Sequence, residues 1–134
     1  MKFNDFSTAQ IRIARPTDKF EEVIDFYEKG LGLTRLTEFS GHRGYTGVIY
    51  GLPGLSYHLE FTKHVDGSPC PAPSEDNLLV LYIPEKSEID RIYNRLQAMG
   101  YEGVEPENSY WEEKGITIED PDGWRIVLMN TNGI

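Results

Sequence analysis

Apolar residues along this chain alternate between two spacings. Ile11 and Ile13 alternate with Gln10, Arg12 and Ala14, a period of two that predicts a strand with its isoleucine face buried. Beyond Pro16, the residues Phe20, Val23, Ile24, Tyr27 and Leu31 recur at helical spacing. They follow the capping-box-like Asp18-Lys19-Phe20-Glu21, and Gly30 supplies the stop. Three strand-like runs come next, 33–39, 45–50 and 57–62, parted by the turn clusters Gly41-His42-Arg43-Gly44 and Gly51-Leu52-Pro53-Gly54. The same order then returns. A buried strand is expected over 78–83. A helix follows, opened by Ser87-Glu88-Ile89-Asp90, with its stripe on Ile89, Ile92, Tyr93, Leu96 and Met99 and its end at Gly100. Strands over 101–104, 115–119 and 124–129 complete it, the last two joined through Asp120-Pro121-Asp122-Gly123.

Val23 falls on Ile92, Tyr27 on Leu96 and Gly30 near Gly100, an offset of about 70 residues that marks an internal structural repeat. The expected fold is α+β, two tandem βαβββ modules whose mixed sheets form an open, partly closed barrel-like cleft with helices outside. Module one spans about 8–63, a Pro- and Gly-bearing connection about 64–77, and module two about 78–130, all within one domain, 1–134. Each helix is expected to cover its own sheet, leaving the opposite sheet face to enclose a ligand.

Composition narrows the partners. A net charge of −9, spread along the chain, repels a nucleic-acid backbone or an anionic bilayer. The first ten residues hold no apolar run of signal or spanning length, so the expected location is the cytoplasm. The single cysteine, Cys70, excludes an internal disulfide and any Cys-x-x-Cys motif. No Gly-rich phosphate loop or nucleophile motif is present.

The segment Asp25-Phe26-Tyr27-Glu28-Lys29-Gly30-Leu31-Gly32-Leu33 places Phe-Tyr before Leu-Gly-Leu. Near the other end, Gly115-Ile-Thr-Ile-Glu119 runs into Asp120-Pro121-Asp122-Gly123-Trp124-Arg125. Together with the repeat, these motifs resemble the vicinal-oxygen-chelate superfamily of glyoxalases, bleomycin-resistance proteins and extradiol dioxygenases, and within it a functionally unassigned bacillus-type branch. The resemblance covers about residues 9–130. It implies a homodimer and a site with four metal-ligand positions, on strands one, four, five and eight. Carried over, these fall on Gln10, Glu60, Leu78 and Val127. Gln10 and Glu60 are competent donors; Leu78 and Val127 have no lone pair to give. A glyoxalase reaction is therefore not expected, and no cofactor is predicted.

Alternation places Arg12 on the Gln10 face, His58 and Thr62 on the Glu60 face, Val80 and Tyr82 on the Leu78 face, and Arg125 and Met129 on the Val127 face. Cations, one carboxylate, an imidazole and apolar walls suit a small, partly anionic organic ligand. The ligand-binding candidates are Gln10, Arg12, Tyr82, Tyr110, Trp111 and Arg125. The catalytic candidates, should the chain be an enzyme, are Glu60 and His58. Glu60 is either a general base or a structural partner of Arg12, the second being favoured; His58 either works with it or is merely hydrogen-bonded. The leading expectation is metal-independent binding of a small molecule. The alternative is a lyase, isomerase or dioxygenase using a weakly held divalent ion on Glu60, His58 and Gln10.

Overall fold

The computed structural model describes residues 9–51 and 55–134. The expected turn at Leu52-Pro53-Gly54 and the leader-free reading of the first eight residues therefore lie outside the described residues. The elements run β1 (Ile11–Pro16), α1 (Phe20–Ile24) widening into a π-helical turn (Asp25–Gly30), β2 (Thr34–His42), β3 (Tyr45–Gly51), β4 (Tyr57–His64), β5 (Leu78–Tyr82), α2 (Lys86–Ala98), β6 (Gly103–Val104), a 3-10 turn (Ser109–Trp111), β7 (Gly115–Glu119) and β8 (Arg125–Met129). They form two four-stranded mixed sheets of the same plan, ordered β1-β4-β3-β2 and β5-β8-β7-β6. This is the α+β fold of two tandem βαβββ modules. In each sheet the first and last strands pair in parallel and the remaining pairs are antiparallel. No helix among the described residues is long and apolar enough to cross a membrane.

The chain divides into two compact units, and the boundary does not follow the two sequence modules. Unit one holds the described parts of residues 1–20 and 33–70; unit two holds Glu21–Gly32 with Pro71–Ile134. Beyond Phe20 the first helix thus belongs with sheet two. The physical reason lies in its contacts. Tyr27 donates to Asp120 Oδ2 at 2.7 Å, and the Phe26 ring meets Tyr101 edge-on at 4.8 Å. Arg95 of α2 donates to the Gly30 carbonyl at 3.2 Å. A Cβ on Gly30 would collide with Leu96, so glycine is what lets the two helices touch. Val23, Phe26, Ile89, Leu96, Ile118, Ile126 and Leu128 are the fully shielded core of unit two.

In unit one the core is built from Val48, Tyr50 and Phe61, register neighbours on one face of sheet one. Ile11 and Ile13 share that face, opposite Tyr57 and Leu59. They are not buried as the alternation predicts, being 59% and 60% exposed. β1 is an edge strand, and cover is complete only further along, at Phe61, where the Arg15 guanidinium lies 5.0 Å from the ring. The β2–β3 hairpin turns through Arg43 and Gly44, both with positive φ, the geometry a two-residue hairpin loop requires.

Neither expected capping box forms. Asp18 instead accepts the backbone N–H of Ser68, while Thr17 Oγ1 accepts that of Lys19 at 2.9 Å. α2 begins at Lys86, whose ammonium pairs with Asp90 at 2.7 Å and draws that carboxylate away from the helix start. The Asp120-Pro121-Asp122-Gly123 turn forms as expected. Asp120 Oδ1 accepts from the N–H groups of Asp122 and Trp124, both at 2.9 Å, and Gly123 takes φ of 87°.

Candidate ligand-binding site

The polar candidates from the first half of the chain gather on one face of sheet one. Register partners share a face, and the parallel pairing sets Arg12 beside His58 and Ala14 beside Glu60. On the other side of β4, Gly51 lies beside His58, Ile49 beside Glu60 and Gly47 beside Thr62. The two glycines leave the sheet floor low, and neighbouring side chains close over them. Leu36 Cδ1 and His58 Cδ2 approach Gly51, and the Phe39 ring lies against Gly47. The outcome is a lane of polar groups along β4, walled by Leu36, Ile49 and Phe39.

His58, Glu60 and Thr62 are half-buried and Arg12 is exposed. Among the described residues, none of these four side chains makes a hydrogen bond or ion pair. The favoured structural pairing of Glu60 with Arg12 is thus not formed, because Ala14, not Arg12, stands opposite Glu60. Gln10 is exposed and lies just ahead of β1.

The unit-two candidates are arranged differently. Arg125 is only 6% exposed, and its guanidinium is committed. Nε donates to Glu119 Oε2 at 3.1 Å, Nη1 donates to the Glu105 carbonyl at 3.0 Å, and Nη2 stands 3.5 Å from Glu75. This is an ion pair holding the segment before β7, not a cation awaiting an anion. Glu107 stands beside Glu75, whose hydrogen bond and like charge raise the Glu107 carboxyl above the usual glutamate range. Tyr82 is 40% exposed with Gly133 against its ring. Tyr110 is 65% exposed and packs edge-on against Trp111 at 4.9 Å. The Trp111 carbonyl presses against Gly115, where no Cβ could fit. Tyr101 is raised by burial, then by the nearby carboxyls of Asp120, Glu22 and Asp25.

Two features escape sequence reasoning. Thr117, 2% exposed and beside Val127 on β7, carries a buried hydroxyl without a hydrogen-bond partner. The alternation Ile116, Thr117, Ile118 was a signal for it, since only one face of that strand can be apolar throughout. Leu36 reaches the polar lane through a register shift between Arg35 and Thr37, which no periodicity announces.

The four carried-over metal positions do not fit a tightly held divalent ion. Leu78 and Val127 are hydrocarbon, and Val127 is fully buried within sheet two. No group of three or more His, Cys, Asp or Glu side chains among the described residues could hold a metal ion.

Paired βαβββ sheets with the Asp-Pro-Asp-Gly turn define a glyoxalase and bleomycin-resistance type protein of the vicinal-oxygen-chelate superfamily. The likeness to solved structures agrees. Glyoxalase I of Leishmania major superimposes with a TM-score of 0.72 at 18% identity, over 92% of this chain and 87% of its own, which speaks for the fold alone. TnmS3, an antibiotic binding protein from Streptomyces sp. CB03234, superimposes with a TM-score of 0.65 at 26% identity, over 95% of this chain and 98% of its own. Within the superfamily, residues 11–62 match the YycE-like N-terminal domain and residues 76–130 the YycE-like C-terminal domain. YycE of Bacillus subtilis is 56% identical over 133 residues, 99% of this chain and 96% of that protein. A crystal structure of a B. subtilis YycE protein of unknown function superimposes with a TM-score of 0.91, covering 100% and 98%. The chain belongs to the YycE-like family.

Proposed function

We propose that this chain is a cytoplasmic protein that binds a small, partly anionic organic molecule without a metal ion, using the polar lane of sheet one. One observation carries the reading. Arg12, His58, Glu60 and Thr62 share a face and spend none of their hydrogen-bonding capacity on one another or on the rest of the described chain. These groups are satisfied by solvent alone, so an occupant that offers matching donors and acceptors can replace that water without breaking any bond of the fold. The hydrocarbon at Leu78 and Val127 and the antibiotic-binding relative both favour a binding protein over a metal-dependent lyase, isomerase or dioxygenase. The aromatic surface of unit two, Tyr82, Tyr110 and Trp111, is a separate place where such a molecule can stack.

The test begins with untagged protein, assayed for metals by elemental mass spectrometry before and after dialysis against a chelator. It continues with titration by methylphosphonate and pentanoate, followed by amide NMR. We expect saturable shifts at Arg12 and His58 that survive chelation. About one transition-metal ion per chain, lost on His58→Ala or Glu60→Ala, would instead establish the metal-dependent alternative.

The homodimer expected for the superfamily is supported by the exposed apolar strip of Ile11, Ile13 and Tyr57 along the edge of sheet one. Light scattering should give twice the chain mass, falling to one on Ile13→Glu; a monomeric wild type would refute this.

A further inference from the structure

The lane on sheet one is not a simple anion site, because it carries both signs of charge in separated positions. Arg12 and His58 are lateral neighbours and form one pole. Glu60 is two residues further along β4 on the same face, about 7 Å away along the strand, with Thr62 beyond it. Between and beside the poles stand Ala14 and Ile49, the register neighbours of Glu60, which offer methyl and aliphatic surface and no charge. Opposite charges so close on one open face would ordinarily satisfy each other, yet no ion pair joins Arg12 to Glu60 and Thr62 binds neither. A monoanion would satisfy the Arg12 pole and leave the half-buried Glu60 carboxylate facing it, unpaired and repulsive.

We propose that the ligand of this face is amphoteric: a short molecule with a carboxylate-like or phosphonate-like group for Arg12 and His58, and an ammonium or hydroxyl donor for Glu60 and Thr62. An aliphatic spacer then lies along Ala14 and Ile49. The inference rests on the proposed reading of the lane as a binding surface and adds the chemical class of the occupant. Charge-assisted bonds at both ends, a guanidinium fork on one side and a carboxylate acceptor on the other, fix orientation as well as affinity.

The experiment compares three probes on one five-carbon skeleton, 5-aminopentanoate, pentanoate and pentylamine, each titrated into the full chain and followed by amide and side-chain NMR. Arg12 is exposed and Glu60 half-buried with no partners to lose, so Arg12→Ala and Glu60→Gln are expected to keep the wild-type spectrum elsewhere. 5-Aminopentanoate should bind with Kd about tenfold below both truncated probes. Arg12→Ala should remove its advantage over pentylamine, and Glu60→Gln its advantage over pentanoate. Pentanoate binding as tightly as 5-aminopentanoate would overturn the amphoteric class while leaving an anion-binding lane. No shift at Arg12, His58 or Glu60 with any probe would overturn both readings.

Discussion

The hydrogen bond from Tyr27 to Asp120 joins the two sequence motifs by which the superfamily is recognised, 93 residues apart. Replacing Tyr27 with Phe removes the donor and almost no volume. Both residues are buried, at 3% and 4% exposure, so water does not replace the lost bond cheaply. Asp120 keeps its two turn bonds through Oδ1, but Oδ2 loses the phenol. A hydrogen bond to a charged, buried acceptor contributes about 1.5–3 kcal/mol, which sets the expected loss at about 2 kcal/mol. For a 134-residue chain the unfolding entropy near the midpoint is about 280 cal/mol/K, so Tm should fall by about 7 °C. Urea denaturation followed by circular dichroism measures the free energy, and calorimetry the midpoint. A double-mutant cycle with Asp120→Asn should return a coupling of at least about 1 kcal/mol. If Tyr27→Phe costs less than about 0.5 kcal/mol, the bond does not hold the first helix to the β7–β8 turn, and the reasoning that places this helix in unit two for that reason is wrong.

Three other perturbations follow from the same geometry. Arg125→Ala strands buried partners and should cost about 3 kcal/mol in urea denaturation, whereas Arg12→Ala should change stability by less than about 0.5 kcal/mol; equal effects would erase the distinction between a structural and a free cation. Thr117→Val replaces an unsatisfied buried hydroxyl by a methyl of similar shape and should stabilise the fold by about 1 kcal/mol, and a destabilised variant would show that the hydroxyl has a partner after all. The raised Glu107 carboxyl binds its proton more tightly folded than unfolded, so its contribution is present below the ordinary glutamate value and is lost as pH rises through the folded value; Glu107→Gln should flatten the stability profile just above the ordinary glutamate range, and an unchanged profile would count against the Glu75 contact.

The two-module order was legible because hydrophobic periodicity reports which face of an element is buried, and in most of this chain the two faces differ. The β7–β8 pairing was readable from Asp120-Pro121-Asp122-Gly123, whose side-chain bonds are local and need no tertiary help. The helix starts were not. Asp18-to-Glu21 and Ser87-to-Asp90 read as capping boxes in sequence, but their aspartates take other partners, the Ser68 N–H and the Lys86 ammonium, once the chain is folded. Nor could periodicity say that Phe26 and Tyr27 pack within unit two, since an apolar stripe specifies that a helix is covered and not by which sheet.

For the candidate site, alternation was enough to put His58, Glu60 and Thr62 together on β4, because side-chain direction in a strand is fixed by counting. What counting cannot supply is the lateral neighbour. Arg12 and Arg125 look equivalent in sequence, two arginines on ligand-facing strand positions. Pairing decides between them: Arg125 has Glu119 across from it on β7 and the Glu105 carbonyl within reach, whereas Arg12 has only His58 beside it on the edge strand. An arginine with carboxylate neighbours is spent on the fold. One whose described lateral neighbour is an imidazole on an exposed edge strand remains open to solvent or an occupant, and that asymmetry is what favours sheet one for the proposed lane.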